Sequence, residues 1–225
     1  MTFGDKVLEF YSKLEFSEED IPDDIEVMIP MKEDQIKMLN KIFYRKFYND
    51  NNERIFLIGI NPGRFGGGIT GIPFTDPIHL DKVLNIKNML PKRHELSSRF
   101  IYDLVKAMGG PEIFFKKCYL TAVSPLGFVL RDKNINYYDN KALISRLEDQ
   151  FGIWLKQQID FGANTKIAFS LGRGKNHEIL RNLNTKYELF DQIIALPHPR
   201  WVMQYRYPRR AYFVDLYLKQ IAGYS

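Results

Sequence analysis

Residues 55–74 read IFLIGINPGRFGGGITGIPF, and this stretch indicates an α/β fold with a binding site at the end of a strand. The apolar run stops at Gly59, and a loop containing glycine and proline begins at once with Asn61. A short buried strand that ends in such a loop is typical of open α/β sheets, which bind ligands at the carboxyl ends of their strands. The loop also carries Phe74, so an amide and an aromatic face are available for a flat heterocycle and a water molecule.

Apolar runs and helical patterns alternate along the rest of the chain. Strands are predicted over residues 54–60, 117–123, 165–171 and 191–196, and helices over residues 5–14, 32–48, 97–108, 140–159, the segment after Gly174 and residues 207–221. This alternation predicts a three-layer α/β/α fold with a central four-stranded parallel sheet. We expect one domain over residues 1–225, with a helical N-terminal region, residues 1–50, packed on the α/β core. Residues 61–91 are predicted as a loop with room for one helical turn, and a loop of that length usually has a function.

Composition limits the classes of protein and of site. The formal net charge of +5 and the pI of about 9.1 favour an anionic partner. Cys118 is the single cysteine, and four histidines are scattered without a metal-binding motif, so we predict no disulfide, no metal and no cofactor. The first residues do not resemble a signal peptide, and no apolar run approaches the roughly 20 residues of a membrane helix. We therefore expect a cytoplasmic monomer without a membrane partner.

Polar residues follow all four predicted strands. The loops after them begin at Asn61, Ser124, Gly172 and His198. Parallel strands place their carboxyl ends at one edge of the sheet, so these loops should meet there. Two prolines restrict the backbone on either side of His198, and a rigidly held imidazole can donate a hydrogen bond to a developing anion.

Four segments resemble the uracil-DNA glycosylase superfamily, and most closely its single-strand-selective monofunctional branch, the SMUG type. GINPGRFGGGITGIPF is similar to the first motif of that branch, and LPHPR to a shortened form of its histidine motif. RFIYDLVKAMGGPEIFFKKCYLTAVSPL is similar to its central helix and second strand, and FSLGRGKN to its third strand and the following helix start. The resemblance covers residues 54–215 with some gaps.

The resemblance implies a monofunctional DNA glycosylase of base-excision repair, whose partner is DNA containing uracil or a related deaminated base. Such enzymes bind a base outside the stack and hydrolyse the bond between base and sugar. By resemblance, Asn61 holds the water, His198 donates to the departing base and Phe74 stacks on it. Gly59 and Gly63 match positions that line the substrate.

Ala122 departs from the family pattern. It aligns with the asparagine that reads the edge of uracil in SMUG-type enzymes, and alanine cannot make those hydrogen bonds. Losing such a contact costs about 1–3 kcal/mol, which would relax specificity without abolishing hydrolysis. Thr121, Ser124 and Thr75 are candidates to supply the missing donor or acceptor.

Several basic and aromatic residues are candidates for contact with DNA. Arg173 and Lys175 flank a glycine at a predicted helix start, where backbone amides bind phosphate well. Arg64 either contacts a phosphate or is simply exposed. Arg200 or Trp201 could fill the gap that a flipped base leaves in the duplex, although Trp201 could equally be a core or interface anchor.

Two other functions are compatible with parts of the sequence. The fold could bind damaged or single-stranded DNA without cutting it, because Ala122 indicates that the pocket has changed. A Rossmann-like nucleotide-binding protein is a weaker alternative, because the glycine-rich segment does not match GxGxxG. Asp76, near the loop, is interpreted as a cap beside Pro77 rather than as a catalytic carboxylate.

Overall fold

The structure is a computed structural model, and it describes residues 1–224. Its strands are β1 (Ile25–Met28), β2 (Arg54–Gly59), β3 (Cys118–Ala122), β4 (Gly127–Leu130), β5 (Lys133–Ile135), β6 (Ala163–Leu171) and β7 (Ile193–Leu196). Its α-helices are α1 (Phe3–Ser12), α2 (Asp34–Phe47), α3 (Gly67–Thr70), α4 (Pro77–Lys82), α5 (Leu96–Ala107), α6 (Pro111–Lys117), α7 (Lys141–Ile159), α8 (Lys175–Tyr187), α9 (Pro199–Tyr205) and α10 (Arg210–Ala222). Two short 3-10 turns cover Glu18–Asp20 and Tyr207–Arg209.

The central sheet has four parallel strands in the order β3-β2-β6-β7. Every residue of β2 and β3 is buried, which explains why both strands appear in the sequence as continuous apolar runs. Helices flank this sheet: α7 and α8 contact each other and β6, while α5, α9 and α10 contact one another. The predicted three-layer α/β/α fold with a four-stranded parallel sheet is confirmed.

The topology places a crevice beside the end of β2. The chain moves from β2 to β3 on one side and then returns to β6 and β7 on the other side, so the order of strands reverses between β2 and β6. Open α/β sheets bind their ligands at such a reversal. One strand, β6, separates β2 from β7, which puts the ends of β2 and β7 about 10 Å apart. That distance leaves room for one planar base between the loops that follow them.

The N-terminal region is part of the same hydrophobic core. Phe3 at the start of α1 is fully buried and packs against the rings of Tyr48 and Tyr119. The guanidinium of Arg54, also fully buried, contacts the rings of both Phe3 (4.5 Å) and Tyr48 (4.7 Å). Cys118 is buried at the start of β3, and burial raises the pKa of its thiol to about 12. The first residues of α1 and the residue that follows α2, Tyr48, therefore pack where β2 and β3 begin.

A second, antiparallel sheet of three short strands, in the order β1-β4-β5, was not predicted. Its strands have only three or four residues each, and β1 pairs with a strand a hundred positions further along the chain, with Ile25 opposite Leu130. Segments this short hold too few residues to show the alternation of apolar and polar side chains that identifies a strand, so the sequence did not predict them.

Helices α6 and α9 were also not predicted. Each has seven residues and begins with a proline, Pro111 or Pro199, which fits the first turn because its missing N–H would be unpaired in any case. The predicted strand at residue 117 accordingly begins one residue later, at Cys118, and the predicted loop 61–91 contains α3 and α4.

Candidate active site

Asn61 is held in place by hydrogen bonds, and the residues that make them are connected in turn to β2, the strand that precedes it. Its Nδ2 donates to the carbonyl of Ile135 (3.2 Å), and its Oδ1 accepts the backbone N–H of Tyr137 (3.1 Å). The Tyr137 hydroxyl donates to Asn176 on α8 (2.8 Å), and Asn176 donates to the carbonyl of Gly59 (3.3 Å). The orientation of the Asn61 amide is therefore fixed from two sides. Sequence patterns gave no sign of Tyr137 or Asn176, because both reach Asn61 only through the tertiary fold.

A narrow cavity of about 40 Å³ opens beside Asn61. By volume it holds a few water molecules. Its lining includes Asn61, Gly63, Phe74, Glu95, Ala122 and Ser124. The structure thus brings together the amide, the aromatic residue and three more residues that the sequence pointed to, and it adds Glu95.

Phe74 packs directly on Gly59. An added Cβ at Gly59 would lie 2.5 Å from the Cζ of Phe74, so glycine is required there for the ring to stay where it is. Phe74 itself has a positive φ of 56°, which is rare for an aromatic residue and indicates that the surrounding loop enforces it. The ring edge therefore has one defined position at the end of β2.

The glycine-rich loop is anchored by helix α2. The buried Nδ2 of Asn40 donates to the carbonyl of Thr70 (2.7 Å) and to that of Ile36 within its own helix (2.8 Å). Gly71 has a φ of 73°, and a Cβ there would lie 2.5 Å from the Asn40 amide. The N-terminal helical region consequently helps to position the loop that carries Phe74.

His198 caps helix α9 with its own imidazole. Its Nδ1 accepts the backbone N–H of Arg200 (3.1 Å), so the hydrogen of the neutral ring lies on Nε2. Burial, followed by the charge of Arg200, lowers the pKa of His198 to about 4. The imidazole is therefore neutral at pH 7, and Nε2–H is free to donate.

A second, larger cavity of about 610 Å³ contains the His198 ring. Ile60 lines both this cavity and the narrow one, so the two adjoin at the end of β2, where the strand order reverses. Arg173, Lys175, Arg206 and Arg209 supply positive charge to its walls. Helix α8 starts here at Gly174 without a side-chain cap, which leaves its first N–H groups available to a ligand.

The remaining candidates for DNA contact lie around these cavities. Arg173, Lys175 and Arg200 are exposed. Trp201 is 39% exposed, and its ring lies between Phe213 (5.9 Å) and the guanidinium of Arg206 (5.0 Å). Arg64 stacks over Phe65 at 5.0 Å, and its backbone N–H donates to Asn134.

None of the three hydroxyls expected to replace the missing asparagine is free to do so. Thr121 lies outside the narrow cavity and donates to Gln158 of α7 (2.5 Å). Thr75 is buried against the hydroxyl of Tyr102 (3.0 Å). Ser124 does line the cavity, but its hydroxyl donates to the carbonyl of Leu126 (2.9 Å). The strand pleat turns Thr121 toward α7, which explains why it and Ala122 do not share a site.

Asp76 caps helix α4, as the sequence suggested. Its Oδ1 accepts the backbone N–H of Ile78 (3.0 Å) and of His79 (2.8 Å), and its Oδ2 accepts that of Glu95 (3.1 Å). Burial raises the pKa of Asp76, but the hydrogen bonds from His79 and Glu95 outweigh it and lower the pKa below its ordinary value. Asp76 therefore remains a buried carboxylate beside the active-site loop.

Within residues 1–224, no group of three or more His, Cys, Asp or Glu side chains is arranged to hold a metal ion. Over the same residues, no helix combines the length and the apolar character needed to cross a bilayer.

Comparison with known proteins agrees with this geometry. The profile of the uracil DNA glycosylase superfamily matches residues 45–221. The crystal structure of wild-type SMUG2 from Pedobacter heparinus is similar over 99% of this chain and 98% of that one, with 40% sequence identity and a TM-score of 0.95. The chain belongs to the uracil DNA glycosylase superfamily, and its similarity within that superfamily is to the SMUG type.

Proposed function

We propose that this protein is a monofunctional DNA glycosylase that hydrolyses the N-glycosidic bond of uracil or a related deaminated base in DNA. The observation that carries the proposal is the pair Asn61 and His198. They follow β2 and β7, on either side of the crevice where the strand order reverses, and each is held by backbone hydrogen bonds.

The proposed reaction uses each group for one task. A base outside the stack lies on Phe74, and stacking on an aromatic ring contributes about 1–3 kcal/mol. The Oδ1 of Asn61 accepts one hydrogen bond from Tyr137 and keeps a second lone pair, which can accept from a water. As the bond to the sugar breaks, Nε2–H of His198 donates to the negative charge that develops on the base. One donor of this kind is worth about 3–4 kcal/mol.

The surface beside His198 suits a DNA strand. Arg173 and Lys175 stand at the uncapped start of α8, so side-chain charge and backbone N–H groups are both available to a phosphate there. Trp201 and Arg200 lie at the start of α9, next to the imidazole, where either could occupy the gap left by a flipped base.

Base preference is expected to be broader than uracil alone. Ala122 lines the narrow cavity without a polar side chain, and the hydroxyls of Thr121, Ser124 and Thr75 are engaged elsewhere. A pocket without a side-chain amide for the uracil edge discriminates less between deaminated bases.

Base release from labelled oligonucleotides tests the proposal. Single- and double-stranded DNA carrying uracil, xanthine or hypoxanthine is incubated with the wild type, Asn61→Ala and His198→Ser. Serine keeps an N-cap acceptor for α9 and removes the donor. We expect abasic sites from the wild type on at least one lesion, and about 10²–10³-fold slower release by either variant.

Asn134→Ala is the matched control for Asn61→Ala. Asn134 also contacts the loop after β2, through the N–H of Arg64, but it does not line the narrow cavity. Its replacement should leave release nearly unchanged. If the wild type releases none of these bases but still binds the oligonucleotides, the protein is a non-catalytic DNA-binding member of the fold.

A further inference from the structure

Glu95 lines the narrow cavity, although it belongs to none of the sequence motifs described above. It is the residue before α5, and its backbone N–H is tied to Asp76 of the α4 cap (3.1 Å). Its carboxyl group lies against the glycine-rich loop: a Cβ at Gly63 would be 3.5 Å from Oε1, and a Cβ at Gly66 would collide with Oε2. The missing Cβ of Gly66 therefore leaves the space that Oε2 fills, and Glu95 lines the cavity that Asn61 also lines.

One oxygen of this carboxyl group has no protein partner. Oε2 of Glu95 is buried and makes no hydrogen bond within the described chain, residues 1–224. A buried polar atom without a partner costs free energy, so such atoms are commonly found where a ligand or water binds. Glu95 and Asn61, whose Oδ1 keeps a free lone pair, line the same water-sized space.

We propose that Glu95 is the general base of the reaction and accepts a proton from the water held by Asn61. This inference rests on the proposed glycosylase function. Asn61 can orient a water but cannot take its proton, because a carboxamide oxygen is a very weak base. A proton acceptor beside Asn61 completes the requirement. Glu95 and Tyr11 are the titratable side chains that line the cavity. Burial raises the pKa of the Tyr11 hydroxyl above its ordinary value, so it stays protonated near neutral pH, and Glu95 is the group that can accept the proton.

The step balances as follows. The water donates one hydrogen to Asn61 Oδ1 and the other to the Glu95 carboxylate, and its oxygen attacks C1′ of the deoxyribose. The C1′–N bond breaks, and its electron pair stays on the base, which His198 stabilises. The proton taken by Glu95 then passes through solvent to the departing base. The products are an abasic sugar with a C1′ hydroxyl and the neutral free base.

The electrostatic environment gives Glu95 a basicity suited to this task. Burial, and then the negative charge of Asp76, raises the pKa of Glu95 to about 7, while the positive charge of Arg200 on α9 acts in the opposite direction. The glycine-rich loop also contributes Arg64, whose guanidinium is stacked over Phe65, and His79 faces Asp76 from α4. A general base whose pKa lies near the working pH is the most effective.

Single-turnover base release over a range of pH tests the role. In the wild type, the rate should rise about tenfold per pH unit below pH 7 and then level off, because only the carboxylate accepts a proton. Glu95→Gln keeps the shape of the side chain and should slow release about 10²–10⁴-fold, with no inflection near pH 7 and little change in DNA affinity. Glu112→Gln, at an exposed position on α6, is the matched control and should behave as the wild type.

Asp76→Asn adds a readout that a purely structural role would not move. Asparagine also caps helices well, so α4 should persist. Removing the negative charge should shift the inflection of the rate profile to lower pH. The Glu95 assignment fails if the wild type releases base and Glu95→Gln matches its rate and pH profile. A wild type that releases no base from any lesion instead overturns the glycosylase proposal itself.

Discussion

Glu95 and His198 lie at the same edge of the sheet with pKa values shifted in opposite directions by burial. The pKa of Glu95 rises from 4.5 to about 7, and that of His198 falls from 6.5 to about 4. The folded protein therefore binds an extra proton at Glu95 and lacks one at His198 over much of the mildly acidic range. Both shifts keep the uncharged form in a poorly hydrated site.

The opposite pKa shifts of Glu95 and His198 predict how folding stability depends on pH. Stability from Glu95 is fully present below pH 4.5 and is lost as the pH rises through about 7. Stability from His198 is fully present above pH 6.5 and is lost as the pH falls through about 4. The two slopes, each at most about 1.4 kcal/mol per pH unit, should largely cancel between pH 4.5 and 6.5 in the wild type.

Urea denaturation at a series of pH values measures this effect. Glu95→Gln should become less stable on acidification from pH 6.5 to 4.5, and His198→Ser should become less stable as the pH rises over the same range. Parallel curves for both variants and the wild type would contradict the two shifts.

Replacing Gly59 with alanine should impair the stacking position. The new methyl group would lie 2.5 Å from the Phe74 ring, in a buried strand, so the ring must move. We expect a loss of about 1–3 kcal/mol in unfolding free energy and slower base release. Gly223→Ala, where a Cβ meets only ordinary contacts at 3.6 Å or more, should leave both the melting temperature and the release rate nearly unchanged.

Arg173 and Lys175 should contribute to DNA affinity through phosphate. Alanine at either position should weaken binding to all sequences alike and reduce the slope of log K against log salt by about 0.7–0.9. Fluorescence anisotropy at several salt concentrations gives both quantities. Lys166→Ala, at an exposed position near the opposite end of β6, should leave the slope as it is.

Arg54 should matter for stability rather than for base release. Its buried guanidinium pairs with Asp50 (2.9 Å) and donates to the carbonyl of Phe115 (2.8 Å) at the edge of the sheet far from Asn61. Arg54→Met would leave that buried carbonyl without its donor, and an unsatisfied buried polar group costs about 1–3 kcal/mol. Thermal unfolding should show the loss, whereas Arg45→Met, at an exposed position on α2, should be nearly neutral.

The central sheet and its polar edge were predictable because their signals are local. Long apolar runs such as β2 and β3 are buried on both faces, and the loops after them begin with Gly, Pro, Asn or His. The topology rules of parallel sheets then bring Asn61 and His198 to one edge without further information.

The parts that could not be predicted depend on contacts between distant segments. Glu95 looks like any exposed acid before a helix, and only the tertiary fold, which brings its carboxyl group against Gly66, makes it a cavity residue. Tyr137 and Asn176 reach Asn61 through hydrogen bonds that span 76 and 39 positions. Thr121 lies outside the narrow cavity and donates to Gln158, because successive side chains of a strand point to opposite faces and the sequence alone does not say which face meets α7.

The buried thiol of Cys118 can be used to measure local opening of the central sheet, because a reagent reaches it only when it becomes exposed. It is the single cysteine, and it is fully buried in the central sheet. Its pKa of about 12 keeps it from forming a thiolate near neutral pH. Alkylation by a thiol reagent must therefore wait until β3 separates from its neighbours. The labelling rate, with or without bound oligonucleotide, reports how often this edge strand separates from the core, with no engineered label required.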